Sequence, residues 1–178
     1  MNSWQDVSSE LVEQRYGALV GYALLLTRNR HDAEELVQDA LIATFSRNRK
    51  LDSVPAAEAY VRRAIASRFV DSARSRSRRL RRERATAPLE ALMGPDATVE
   101  PDPALAAALA QLAPRVRACV VLRYLADQSH AQIAQALGIT EGTVRRNVYD
   151  GVGALSTALG TEASVEDHAE VIVKETAR

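Results

Sequence analysis

Residues 129–149 (SHAQIAQALGITEGTVRRNVY) leave this chain few choices of local fold. Apolar side chains stand at Ile133, Leu137, Ile139, Val144 and Val148. That is the spacing of two short helices that touch along one seam. Ala134 is small where such helices cross closely, and Gly138 fits the tight turn between them. Ser129 followed by Gln132 spells a capping box, and Thr140 is the expected N-cap of the second helix. The pattern is a helix-turn-helix, a unit whose second helix enters the major groove of DNA.

The second helix is predicted to run to about Leu159, with Val144, Val148, Val152 and Leu155 as its buried stripe. Its opposite face carries Gly142, Thr143, Arg145, Arg146, Tyr149 and Asp150. An arginine can meet guanine O6 and N7 with two parallel hydrogen bonds, or hold a phosphate. Thr143 and the helix N-terminus suit a phosphate, and Gly142 leaves room for close backbone approach. The bland alternative is a solvated helix face. Asp150 is awkward beside phosphate. It could accept from cytosine N4, orient Arg146 one turn back, or lie outside the contact.

The preceding chain is also helical in pattern. A first helix is expected from about Ser8 to Thr27, with Leu11, Tyr16, Leu19, Val20, Ala23 and Leu26 on one face. Residues 29–32 break it and offer capping side chains. A second helix follows from about Asp32 to Arg47, apolar at Ala33, Leu36, Val37, Ala40, Leu41 and Phe45. A third is expected from Pro55 to about Arg79, with arginine displacing apolar residues from Arg74 onward. Asp102 and Pro103 restart the helical pattern as N-cap and first helical residue, and Pro114 opens a further helix to about Ala126.

Composition fits an all-helical chain. The hydrophobic fraction is 47% but only 4% is aromatic. The net charge of zero conceals an asymmetry. Residues 1–84 carry 16 Lys/Arg against 11 Asp/Glu, and the rest carry 7 against 12. Ten arginines fall within residues 62–84, opposed only by Asp71 and Glu83. Such a concentration points to a partner with localised negative charge. Residues 85–102 hold three prolines, a glycine, four acids and no base, the composition of a linker. The expected fold class is therefore all-α: two small helical domains joined by a flexible acidic linker. The division is residues 1–84, a linker 85–102, a helix-turn-helix domain 103–159, and an acidic tail 160–178.

Two stretches carry a family resemblance. Residues 27–45 (TRNRHDAEELVQDALIATF), then 59–64 (AYVRRA) and the arginine run, resemble the second conserved region of bacterial RNA polymerase sigma factors. Residues 112–124 (LAPRVRACVVLRY), leading into the helix-turn-helix, resemble their fourth region. A short linker with no third domain resembles the extracytoplasmic-function group. The resemblance implies a factor that binds core RNA polymerase through the clamp helices of the largest subunit and the flap. It then directs initiation at specific promoters.

By match, Glu35, Gln38, Asp39 and Ile42 would face the polymerase. Asn48, Arg49 and Lys50 in the loop, with Tyr60, Arg62, Arg63, Ser67 and Arg74 on the helix after it, would read and melt the −10 element; Arg68 would follow the strand backbone. Tyr60 could instead pack in the core. Ser67 stands where the family usually has asparagine, a departure that bears on promoter preference. Gly142, Thr143, Arg145, Arg146 and Tyr149 would face the −35 element. An anti-sigma factor is a further expected partner. The linker either enters an RNA channel or is simply flexible.

The rival reading is a stand-alone helix-turn-helix regulator that binds duplex DNA without the polymerase. An enzyme is not expected: His31, Asp32 and Glu35 lack a second histidine at ligand spacing, and no phosphate loop or nucleophile motif is present. No catalytic residue, cofactor or metal is expected. No apolar run reaches the roughly 20 residues of a membrane helix, and no signal peptide is visible, so a cytoplasmic protein without membrane insertion is expected. The single cysteine, Cys119, reads as a buried core residue or, less simply, a redox sensor.

Overall fold

Capping chemistry sets most of the helix limits. In the computed structural model, which describes residues 4–46, 51, 53–82 and 101–160, the chain forms α1 (Trp4–Thr27), α2 (Arg30–Phe45), α3 (Val54–Arg82), α4 (Pro103–Gln111), α5 (Pro114–Tyr124), α6 (His130–Leu137) and α7 (Glu141–Leu159). No strand occurs among the described residues. Asn29 caps α2 by accepting from the Asp32 amide, and Asp102 caps α4 by accepting from the Ala104 amide. Ser129 and Gln132 form the full reciprocal capping box of α6. Gly138 and Gly160 take the left-handed conformation that ends α6 and α7, with φ of 63° at each. Helix α1 begins four residues before the start read from sequence, and α5 ends two residues earlier.

Helices α1, α2 and α3 pack pairwise around Leu11, Leu19, Leu26, Val37, Val61 and Ile65. Helices α5, α6 and α7 pack around Val121, Leu122, Ile133 and Val144. The two sets do not stand apart. Helix α3 lies against α5 and α6, and α1 lies against α4 and α5. One continuous core runs from Val7 to Val148 through both sets. This explains α1, whose second half is buried on nearly every side at Leu19, Val20, Gly21, Tyr22, Ala23, Leu25 and Leu26. A helix clothed only by α2 and α3 would keep a wet face.

Arg117 of α5 is the centre of that shared core. It is buried, and its guanidinium donates to the Leu26 carbonyl at the end of α1. It also donates to the carbonyls of Ala110 at 2.7 Å and Leu112 at 3.1 Å, and it stacks on the Phe69 ring of α3, 5.5 Å from the centroid. Helix C-termini present carbonyls without partners and carry partial negative charge, so one cation serves two helix ends. Burial, and to a lesser degree Arg28, lowers its pKa from the ordinary arginine value.

Candidate nucleic-acid interface

Helix α7 packs its Val144 and Val148 side inward and leaves the opposite side to solvent. Thr140 accepts from the Thr143 amide at 3.2 Å, and the two hydroxyls meet at 2.8 Å. Gly142, Arg145, Arg146 and Tyr149 are exposed, and Thr143 is half-buried. The space a Gly142 side chain would enter is open to 4 Å. Arg145 lies 3.6 Å from Glu141, and Arg146 lies 3.8 Å from Asp150, each one turn away. Of the readings open for Asp150, pairing with Arg146 is the one this arrangement displays. Arg146 is still 84% exposed, so its guanidinium remains available to a groove.

Val152 and Leu155 are only half-buried, against the sequence expectation of a buried stripe. The contact they were expected to make is taken by Gly151. A Cβ there would stand 2.5 Å from Val120 Cγ2 and 3.0 Å from Val116 Cγ1. Helix α7 crosses α5 so closely that glycine is the residue that fits. Nearby Cys119 is fully buried, and the Asn147 amide reaches its sulfur at 3.6 Å. Burial pushes the thiol pKa up, which favours the core reading over the redox one.

On α3 two of the arginines, Arg62 and Arg63, are already engaged. Arg62 donates to the Leu125 carbonyl at 3.1 Å, pairs with Glu58 at 2.6 Å, and lies over the Tyr22 ring. Arg63 donates to Gln128 Oε1 at 2.7 Å and lies over the Tyr60 ring. Tyr60, Ser67 and Arg68 are half-buried, and Arg74 is exposed. With Arg63, Thr44 and Gln132, Gln135 and Ala136 of α6, the first three line a cleft of about 660 Å³. The structure thus brings Tyr60, Arg63, Ser67 and Arg68 together, but facing the helix-turn-helix unit. Arg74 stands outside the cleft lining, further along α3. Asn48, Arg49 and Lys50 lie outside the described residues.

Helix α2 carries the third set. Glu35, Gln38, Asp39 and Ile42 are all exposed, Ile42 at 67%. Their spacing puts them on one face. Glu35 and Asp39 also border a second cleft, of about 340 Å³, between α2, α3 and the start of α5. An acidic face around a bare isoleucine is the composition of a protein contact. Three residues with evident roles escaped sequence reading: Arg117, Gln128 and Gly151. Only Gly151 left a trace, as a glycine inside a helical pattern.

A Sigma-70 region 2 family model matches residues 11–79, and a Sigma-70 region 4 model matches residues 103–155. The chain is 31% identical to the ECF RNA polymerase sigma factor SigE of Mycolicibacterium smegmatis, over 92% of this chain and 64% of that protein. It is 32% identical to the RNA polymerase sigma-E factor of Streptomyces avermitilis, over 84% of this chain and 83% of that one. With the ECF RNA polymerase sigma factor SigL of Mycobacterium tuberculosis it shares 31% identity, over 84% and 86%. The fold is similar to that of the sigma factor RpoE of Bartonella quintana, solved with the anti-sigma factor NepR. That likeness has a TM-score of 0.67 at 20% identity, covering 86% of this chain and 97% of the other.

Proposed function

The chain belongs to the sigma-70 family of RNA polymerase sigma factors, in its extracytoplasmic-function group, and on that premise we propose how it engages polymerase and promoter. Residues 1–84 form the unit that docks on core polymerase and handles the −10 element, and 103–159 the unit that reads the −35 element. Glu35, Gln38, Asp39 and Ile42 meet the clamp helices of the largest subunit. Ile42 seats in an apolar site there and the acids set the register. Gly142, Thr143, Arg145, Arg146 and Tyr149 enter the major groove of the −35 duplex, with Arg145 and Arg146 on base edges or phosphate and Thr143 at the phosphate end.

Asn48, Arg49 and Lys50, with Tyr60, Arg62, Arg63, Ser67 and Arg74, hold the unpaired −10 strand by stacking and by backbone charge. An anti-sigma factor restrains the protein. None of the described helices is long and apolar enough to cross a membrane, and the proposed site of action is the cytoplasm. The role is binding and positioning, the polymerase supplying the chemistry.

One observation carries this reading. An exposed acidic face with a bare isoleucine on α2 precedes, in one chain, a fully capped helix-turn-helix whose reading face is solvent-exposed. The test is transcription in vitro from genomic promoter fragments, using core polymerase with and without the protein. Start sites that appear only with the protein are expected, and each should give both promoter elements. No initiation together with no binding to core polymerase would overturn the proposal in favour of a stand-alone regulator.

A further inference from the structure

The cleft between α3 and α6 has a composition that helix packing alone does not demand. Its walls include Thr44 of α2, Tyr60, Arg63 and Arg68 of α3, and Gln132 and Gln135 of α6. At about 660 Å³ it lies within the roughly 300–1,000 Å³ of small-molecule sites. Two arginines line it and, among the described residues, no acid does. The second cleft is different. There Arg28, Arg76 and Arg117 share the walls with Asp32, Glu35 and Asp39. Of the two, the first offers uncompensated positive charge to an anion.

The groups on these walls match the parts of a nucleotide. Arg68 is half-buried and makes no hydrogen bond or ion pair with a described residue, so its guanidinium can hold a phosphate in a two-pronged contact. The Arg63 guanidinium lies over the Tyr60 ring, 5.6 Å from the centroid. A stacked ring and guanidinium form a flat surface of the kind on which a base stacks. The remaining polar groups are neutral donors and acceptors, which suit a base edge. Gln132 gives its side-chain oxygen to the Ser129 amide in the capping box, which leaves its NH2 to donate. Gln135 stands nearly one turn further along α6 and carries both a donor and an acceptor. Thr44 donates its hydroxyl to the Ala40 carbonyl at 2.7 Å, so its oxygen is left to accept.

We infer that this cleft binds a free nucleotide, with Arg68 on the phosphate, the stacked Arg63 and Tyr60 against the base, and Gln132, Gln135 and Thr44 at the base edge. The inference goes beyond the promoter reading and does not need it, because half of the groups it uses belong to α2 and α6, outside the residues proposed for the −10 strand. A ligand held by α3 and α6 together binds the folded protein alone, and so raises its unfolding temperature.

The test titrates the full chain with fluorescent methylanthraniloyl-ATP and follows thermal unfolding with unlabelled ATP and GTP. Saturable binding and a raised unfolding midpoint are expected. Arg68→Gln should weaken binding about tenfold, the loss of one charged hydrogen bond. Gln135→Ala should weaken it about threefold, the loss of a neutral one. Neither residue bonds another described side chain, so both variants keep the fold, which circular dichroism checks. Arg74→Gln, exposed on the same helix but outside the cleft lining, should leave binding unchanged. Equal losses from Arg68→Gln and Arg74→Gln would mean diffuse attraction to the arginine run, and the site would fall. Inorganic phosphate displacing the label as readily as ATP would reduce the cleft to a bare anion site and sink the nucleotide assignment. Absence of saturable binding overturns the inference outright. Initiation in vitro is read on the same preparations. Nucleotide binding without initiation upholds this site and overturns the promoter reading; initiation without nucleotide binding does the reverse.

Discussion

Arg62 and Arg63 on α3 and Arg145 and Arg146 on α7 are both adjacent pairs, and the fold treats them differently. Arg145 and Arg146 on α7 are exposed, each loosely opposed by an acid of its own helix at 3.6 and 3.8 Å. Such pairs between exposed groups are worth well under 1 kcal/mol and yield easily to DNA. Arg62 and Arg63 on α3 are half-buried and donate at 3.1 and 2.7 Å to a turn more than 60 residues away. The side chains are of one type. What differs is whether another helix lies over them. An arginine-rich helix face is thus open to a ligand only where packing leaves it bare, as it does at Arg145 and Arg146 and does not at Arg62 and Arg63.

The sharpest way to break the contrast is to remove what joins the units. Arg117→Ala leaves the carbonyls of Leu26, Ala110 and Leu112 without their donor. Each such loss costs about 1–3 kcal/mol. The variant should lose about 3 kcal/mol or more in urea unfolding, and the two units should then unfold in separate transitions. A single transition at the parent midpoint would mean that the seam contributes little.

The contrast sharpens next at the reading surfaces. Arg146→Ala on α7 should leave unfolding within about 0.5 kcal/mol, because its partner is an exposed acid. Promoter binding by the polymerase-bound protein should fall by about 1–3 kcal/mol, tenfold or more. Unchanged promoter affinity would remove Arg146 from the −35 contact.

The two glycines of α7 make an internal pair of smaller effects. Gly151→Ala forces a Cβ against Val120 and Val116 of α5, and thermal unfolding should register a loss of about 1–2 kcal/mol. Gly142→Ala meets nothing within 4 Å and should stabilise the free protein by about 0.5–1 kcal/mol. In the same variant, promoter binding should weaken, because the added methyl stands on the face proposed to meet DNA. Equal responses from the two glycines would show that α7 does not cross α5 as closely as described.

Much of this molecule was legible in its residues because the signals are local. The capping box of Ser129 and Gln132, the Thr140 cap, the Asp102 and Pro103 restart and the tight turn at Gly138 each depend on neighbours within four positions, and each formed as read. The exposed face of α7 and the acidic face of α2 followed from helical period alone. The period failed where a neighbouring helix changed the demand. Val152 and Leu155 are half-buried because α7 meets α5 through Gly151 instead. Tyr60, left between core and strand, is half-buried on the wall of a cleft that only the arrival of α6 creates.

The amino-acid sequence by itself determined the seven helices of the described residues, most of their caps, the helix-turn-helix and the two matched regions, because caps and periodicity act over a turn or two of chain. Tertiary structure alone decided that the two units share one core, that Arg117 serves the ends of α1 and α4, and that Arg62 and Arg63 hold a distant turn. Those contacts join residues 63, 65 and 91 positions apart. No local rule selects such a partner; it is fixed only when burial of the second half of α1 on nearly every side brings the second unit against the first.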